Sequence, residues 1–185
     1  MRCDLCNQDV QLISFEGRKN AQCPKCKALE RHRMLARWYR DNIDKAEKVL
    51  WVGPINENEC RVLAETKGCN EYIAIDLEGR RGIVMDVQNM SDFSDDYFDL
   101  VVCFHILEHV DDDDEALCEI QRVLKEGGRL LFQVPIGGKV GQSGHKRVYE
   151  KNRLEAWLSE FFYIRLFYDS NGVDWFYECL KWTKQ

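Results

Sequence analysis

The segment 98–135, FDLVVCFHILEHVDDDDEALCEIQRVLKEGGRLLFQVP, restricts the fold of this chain more than any other. It begins with FDLVVC (98–103), apolar but for Asp99, followed by a polar loop holding His105, Glu108 and His109. Ala116, Leu117, Ile120, Val123 and Leu124 then recur at helical spacing up to a stop at Gly127-Gly128, and RLLFQVP (129–135) is a second apolar run. A strand buried on both faces reads as a continuous apolar run, and parallel strands joined by a helix are buried in that way. The segment therefore predicts a β-α-β unit with its polar loop at the carboxyl end of the first strand. In open α/β sheets that is where ligands bind.

The same pattern recurs upstream. KVLWV (48–52), EYIAID (71–76) and GIVMDV (82–87) read as strands. Residues 57–67 read as a helix with Cys60, Leu63 and Ala64 on one face, stopped at Gly68. Repeated units of this kind imply a doubly wound parallel sheet. The end of the chain differs: after a helix over 152–160, FFYIRLFYD (161–169) and DWFYECLKWT (174–183) flank a Ser-Asn-Gly turn, so the last two strands form an antiparallel hairpin.

The N-terminus carries a separate signal. Cys3-x2-Cys6 and Cys23-x2-Cys26 are two knuckles separated by sixteen residues, of which VQLISFEGRKNAQ (10–22) has an apolar run and a Gly turn suited to a hairpin. Four thiolates at such spacing suit tetrahedral zinc and fill its shell, which predicts a structural zinc ribbon over 1–30; free or redox-active thiols are the alternative. A piece of about 30 residues buries too little surface to fold without such a staple. Residues 28–41, ALERHRMLARWYRD, predict a helix in which Leu29, Leu35, Trp38 and Tyr39 stand among basic positions, and the main domain is expected over 31–185.

Charge is unevenly spread. Residues 1–50 hold eleven Lys/Arg against seven Asp/Glu, whereas the rest hold fifteen against twenty-five. An acidic main body argues against broad nucleic-acid binding, although Arg31, Arg33, Arg37 and Arg40 offer a basic face to an anionic partner such as RNA. No apolar run approaches a membrane span, and the first residues lack the apolar core of a signal peptide, so a cytoplasmic protein without membrane association is expected. Oligomeric state leaves no trace in the sequence.

Several residues stand where chemistry is expected. Asp76 ends the second main-domain strand, in position to accept hydrogen bonds from ribose hydroxyls; a solvated strand-end acid is the alternative. Asp86 ends the third, able to accept from an adenine amino group or to cap a turn. The loop WVGPINENE holds Gly53 alone, without GxGxxG, which argues against nicotinamide or flavin dehydrogenases. His105 and His145 are the candidate general bases. His145, Arg147 and Tyr149 alternate within the Gly-rich stretch 137–151, which is suited to closing over an acceptor. The acids Asp111–Asp114 read as a helix start that favours negative charge rather than as a metal site.

With CPKCKALERHR (23–33), VLWVGP (49–54), YIAIDLEG (72–79), IVMDV (83–87), FDLVVCFHILEHV (98–110), RVLKEGGRLLFQVPI (122–136) and GQSGHKRVY (141–149), the chain resembles class I S-adenosylmethionine-dependent methyltransferases of the type 11 kind that carry an N-terminal zinc ribbon. The resemblance implies a Rossmann-like seven-stranded sheet ending in the hairpin. It implies that Gly53 lies beside the amino-acid portion of S-adenosylmethionine, that Asp76 holds the ribose, and that Leu77 packs on the adenine. Asp86 and Val87 would border that ring. Cys103 and Phe104 would contact the cofactor through backbone, and His105 would face the methyl-transfer region. The expected acceptor is a small molecule or sugar-like metabolite. The alternatives are an RNA acceptor served by the basic N-terminal region, or a non-catalytic binding module built on the same fold.

Overall fold

A computed structural model describes residues 1–42, 48–54, 69–137, 140–141, 144–170 and 174–183. The helix expected over 57–67 lies outside the described residues. Contacts divide the chain into two compact units, Met1–Lys45 with Ile55–Cys69 and Ala46–Pro54 with Asn70–Gln185. These bounds differ from a division at residue 30, because the helix that follows the second cysteine knuckle belongs to the first unit.

In the first unit, β1 (Ile13–Phe15) and β2 (Arg18–Gln22) form an antiparallel hairpin. Glu16 and Gly17 connect them, both with positive φ (47° and 78°). Two such residues make the tight turn whose twist matches that of paired strands. Helix α1 (Glu30–Asn42) follows and buries Met34, Leu35, Trp38 and Tyr39. Arg33 is buried as well; its guanidinium donates to the carbonyls of Ala21 (2.8 Å) and Ala28 (3.0 Å), tying the hairpin to the helix. Arg37 and Arg40 both donate to the Asp4 carboxylate inside the first knuckle.

The second unit is a seven-stranded sheet of β3 (Lys48–Val52), β4 (Glu71–Asp76), β5 (Ile83–Val84), β6 (Phe98–Phe104), β7 (Leu124–Pro135), β8 (Phe162–Ser170) and β9 (Asp174–Lys181), in the order β5-β4-β3-β6-β7-β9-β8. β9 pairs antiparallel with both β7 and β8, while the pairings among β3, β4, β5, β6 and β7 are parallel. The order reverses at β3, which has β4 on one side and β6 on the other, and the chain ends of those three strands frame the crevice of a doubly wound sheet.

Helix α2 (Asp113–Val123) and helix α3 (Lys151–Ser159) pack against one face of the sheet. Ala116, Leu117, Ile120 and Val123 of α2 and Leu154 and Leu158 of α3 share a core with Leu50, Val52, Val101, Cys103, Leu130 and Phe132. On the strands' opposite side Val49, Trp51, Val102 and Phe104 are buried too, which explains why FDLVVCF shows no alternation.

Two boundaries differ from expectation. β7 begins at Leu124 rather than 129 and contains Gly127-Gly128. Leu124 leaves α2 in extended conformation with its N–H still on Ile120 O, pairs with Phe98, and the ladder then skips to Leu100 opposite Arg129. The glycine pair is absorbed in that irregularity. The third strand is short, because Asp86 turns the chain back onto Asn89.

The acid run is consumed by the fold. Asp112 caps α2 by accepting from Glu115 N (3.0 Å), Asp113 accepts from Tyr149 Oη (2.8 Å), Asp114 from the Trp157 indole, and Asp111 pairs with Lys146. A cleft of about 370 Å³ lined by Asp113, Asp114, Tyr149, Arg153 and Trp157 sits among these contacts, away from the crevice.

A second charged cluster leads to a pH prediction. Arg122 binds Glu119 (2.6 Å), Asp95 (2.8 Å) and the carbonyls of Met90 and Phe93, and its hydrogen bond holds the Glu119 carboxyl below the ordinary 4.5. The folded value lies below the unfolded one, so this contribution is complete above about pH 4.5 and is lost as pH falls through the folded value. Both side chains are partly exposed, so the contribution is on the order of 1 kcal/mol. Urea unfolding at pH 7 and pH 3 is expected to show Arg122→Met losing less stability on acidification than the unsubstituted chain; equal losses would remove this pair from the acid response.

Candidate functional site

The strand pairings bring several of the sequence-derived residues to one edge. Val52 is paired with Ile75 on β4 and with Cys103 on β6, so Gly53, Asp76 and Phe104 follow at the same level, and His105 comes next. Gly53 has φ +57° and its N–H donates to Ile75 O at 2.8 Å. A Cβ at this position would come within 2.2 Å of Ile106 Cδ1. Glycine adopts this left-handed backbone without strain, and a larger residue would also have to displace the Ile106 side chain.

Asp76 is half-buried. Its Oδ1 accepts from Glu78 N (2.7 Å), and Oδ2 has no partner among the described residues. Leu77, beside it, is 64% exposed, an isobutyl group held in the open at a strand end. These two residues present one free anionic acceptor and one apolar surface side by side, which is what a nucleoside needs.

The remaining cofactor candidates are placed differently. Asp86 accepts from Gln88 N and from the Gln88 side-chain amide on both oxygens (3.2 and 3.0 Å), the turn-capping arrangement. Val87 is buried in the core. The Cys103 side chain is also in the core, where burial pushes its thiol well up. Phe104 packs edge-on against Trp51 and Phe176. For Cys103 and Phe104 only backbone remains to meet a ligand.

His105 occupies the left-handed region (φ +55°), with its N–H on Gln133 O at 2.8 Å. A non-glycine residue held there marks a strained strand end of the sort found at binding and catalytic sites. Its Nδ1 lies 3.4 Å from Glu108 Oε1, and its Nε2 is buried without a hydrogen-bond partner. Glu108, which reads in sequence as a loop-fixing residue, is 1% exposed.

The Gly-rich stretch after β7 is pinned to this loop. Arg147 donates to the carbonyls of Leu107 (2.6 Å), Val110 (2.8 Å) and Asp111 (2.8 Å), and Lys146 N donates to Glu108 O (2.7 Å). Arg147 and Tyr149 thus hold the two loops together rather than face an acceptor. His145 packs against His109 with ring centroids 5.0 Å apart. The structural role of Arg147 escaped the sequence pattern because its partners are backbone carbonyls, which leave no residue-type signature.

In the first unit the four knuckle cysteines converge. Cys3 Sγ lies 3.8 Å from Cys26 Sγ, and Cys6 Sγ lies 3.8 Å from Cys23 Sγ; all four sulfurs are within 4.8 Å of one another. A zinc ion with Zn–S bonds of about 2.3 Å sets its sulfurs about 3.8 Å apart, the separation of the Cys3–Cys26 and Cys6–Cys23 pairs, which is far longer than a disulfide bond. Burial raises the Cys3 and Cys26 thiols, Cys26 to about 12. At Cys23 burial is outweighed by the N–H groups of Cys26 and Lys25 and by the neighbouring thiols, which bring it to about 7. Those N–H groups are aimed at a thiolate.

No described helix is long and apolar enough to cross a membrane. The methyltransferase domain family matches residues 52–132. The thiol S-methyltransferase TMT1B of Rattus norvegicus is 38% identical over 85 residues, 46% of this chain and 33% of that protein. The ubiquinone/menaquinone biosynthesis C-methyltransferase UbiE of Vibrio vulnificus (strain YJ016) is 54% identical over 47 residues, 24% of this chain and 18% of that protein. The chain thus spans a third or less of these relatives' length. Among solved structures, the N-methyltransferase NodS from Bradyrhizobium japonicum WM9, in complex with S-adenosyl-L-homocysteine, superposes with a TM-score of 0.63 at 17% identity over 82% of this chain and 86% of that one. Residues 52–132 thus match the methyltransferase domain family, and the unit that holds Gly53, Asp76 and His105 has the fold of the N-methyltransferase NodS.

Proposed function

We propose that this chain transfers a methyl group from S-adenosylmethionine to a small-molecule acceptor held beside His105, and that zinc bound by Cys3, Cys6, Cys23 and Cys26 serves structure. The observation that carries the reading is the alignment of Gly53, Asp76 and His105 along the carboxyl edges of β3, β4 and β6, at the point where strand order reverses. The cofactor supplies the electrophilic methyl carbon, and displacement there needs little covalent help from protein.

What the chain contributes is placement. Asp76 Oδ2 accepts from the ribose hydroxyls, Leu77 covers the adenine, and the backbone at Gly53 admits the amino-acid portion. The core positions of Val87, Cys103 and Phe104 make the wall behind them, with backbone and not side chain toward the ligand. His105 stands on the acceptor side. Its Nε2 takes the proton from an acceptor hydroxyl, amine or thiol that must lose one, and the Glu108 carboxylate, 3.4 Å from Nδ1, favours the charged ring that results.

Two of the arginines that offered a face to RNA, Arg37 and Arg40, are engaged by Asp4, and Arg33 is turned inward. This supports a small acceptor over a nucleic acid. The test is calorimetry of the zinc-loaded chain with S-adenosylmethionine and S-adenosylhomocysteine, followed by label transfer to pooled thiol, amine and hydroxyl acceptors. Saturable binding of both ligands is expected. Absence of binding would reject the enzyme reading in favour of a binding module, and salt-sensitive capture of RNA would restore the nucleic-acid acceptor.

A further inference from the structure

Glu108 presents an unresolved charge. It is 1% exposed, and neither carboxylate oxygen accepts a hydrogen bond among the described residues. A carboxylate so placed loses several kcal/mol of hydration unless a cation compensates it. The positive candidates facing it are imidazoles: His105 Nδ1 at 3.4 Å and His109 Nε2 at 4.0 Å. His145 completes the group from the other loop. One ligand atom each from Glu108, His109 and His145 lies within 4.8 Å of the others.

We propose that Glu108, His109 and His145 form a second metal site, for a divalent cation of the zinc class, distinct from the cysteine quartet. The donor set is two imidazoles and one carboxylate, which suits zinc and its transition-metal neighbours rather than magnesium or calcium. His109 is already oriented for it. Its Nδ1 lies 3.2 Å from Gly144 O. A proton on Nδ1 donated to that carbonyl leaves the Nε2 lone pair facing Glu108, the arrangement by which metal-binding histidines are held in one tautomer.

Metal bonds of about 2.1 Å require ligand atoms roughly 3–3.5 Å apart, so the group must contract on binding. The contraction falls to side-chain rotation of His145, whose imidazole makes no hydrogen bond among the described residues, while its backbone is held by Lys146 N on Glu108 O and by Gly141 N on His145 O. Three protein ligands leave at least one coordination position open. That position adjoins His105 through the shared Glu108 carboxylate. There a bound cation would hold an acceptor oxygen or sulfur and favour its deprotonated form; this last role, unlike the binding itself, rests on the methyl-transfer reading.

Cobalt(II) titration of the zinc-loaded chain tests the site without an activity assay. One additional equivalent is expected, with the weak d–d absorption of nitrogen and oxygen ligands and none of the intense thiolate charge-transfer bands that would report exchange at the quartet. His145→Ala, on the partly exposed loop, is expected to weaken the added equivalent roughly 10–100-fold while leaving the quartet's metal in place. Glu108→Gln should do the same, and thermal unfolding without metal checks that it folds. No added equivalent at millimolar free cobalt, or one that both variants retain, overturns the proposal. Calorimetry with S-adenosylmethionine on the same samples separates the two readings. Cofactor binding without the cobalt equivalent rejects this site alone, and the cobalt equivalent without cofactor binding rejects methyl transfer alone.

Discussion

Replacing Asp76 by alanine is expected to weaken S-adenosylmethionine binding by roughly 100-fold, about 2.8 kcal/mol, with the fold intact. The size follows from the number and kind of bonds lost. A carboxylate accepting from two ribose hydroxyls makes charge-assisted hydrogen bonds, each worth more than a neutral one. The side chain also serves the turn, because Oδ1 accepts from Glu78 N. Asp76→Asn separates these functions: it keeps an acceptor for Glu78 but loses the charge toward the ribose. An intermediate loss is expected for asparagine and the full loss for alanine, both read by calorimetry, with unchanged far-ultraviolet circular dichroism. If Asp76→Ala binds as tightly as the unsubstituted chain, the ribose assignment falls while the fold stands.

Removal of zinc is expected to undo the N-terminal hairpin and spare the seven-stranded sheet. β1 and β2 are three and five residues long, and few of their side chains are buried. What else holds the knuckles together is a short set of contacts: Arg33 on the hairpin carbonyls and Arg37 and Arg40 on Asp4. A strong chelator should therefore make four further thiols reactive and open residues 1–29 to proteolysis, with the sheet's circular dichroism retained. Cys23→Ser, which removes one corner of the tetrahedron, should reproduce this without chelator. Protons compete with zinc for the sulfurs, so zinc release should occur more readily as pH falls. Thiol reactivity indifferent to both chelator and acid would exclude zinc from the quartet.

The parts of this protein that were legible in sequence share one property, a periodic or spaced signal that burial or coordination imposes. LVVCF (100–104) and LLF (130–132) are continuous apolar stretches because their strands are covered on both faces, and the residues of α2 that face the core repeat at helical spacing because one side alone is covered. Cys3, Cys6, Cys23 and Cys26 carry their geometry in their spacing. Asp76 was legible as the last residue of a strand.

What stayed hidden depends on pairing across the chain. Asp86 was equally a ligand or a cap by sequence, and the nearby Gln88 amide decides for the cap. The alternation of His145, Arg147 and Tyr149 suggested one exposed face. Arg147 instead reaches 40 residues back in the chain to Leu107 O, and Tyr149 reaches Asp113. Glu108 reads as an ordinary loop acid until folding removes it from water and sets three imidazoles near it. The sequence by itself determined the layer architecture, the cysteine cluster and the strand edge that carries Gly53, Asp76 and His105, because each is written in local period or spacing. Tertiary structure alone decided which polar groups at that edge remain unsatisfied, since a hydrogen bond is available to a ligand only when no distant part of the chain has already taken it.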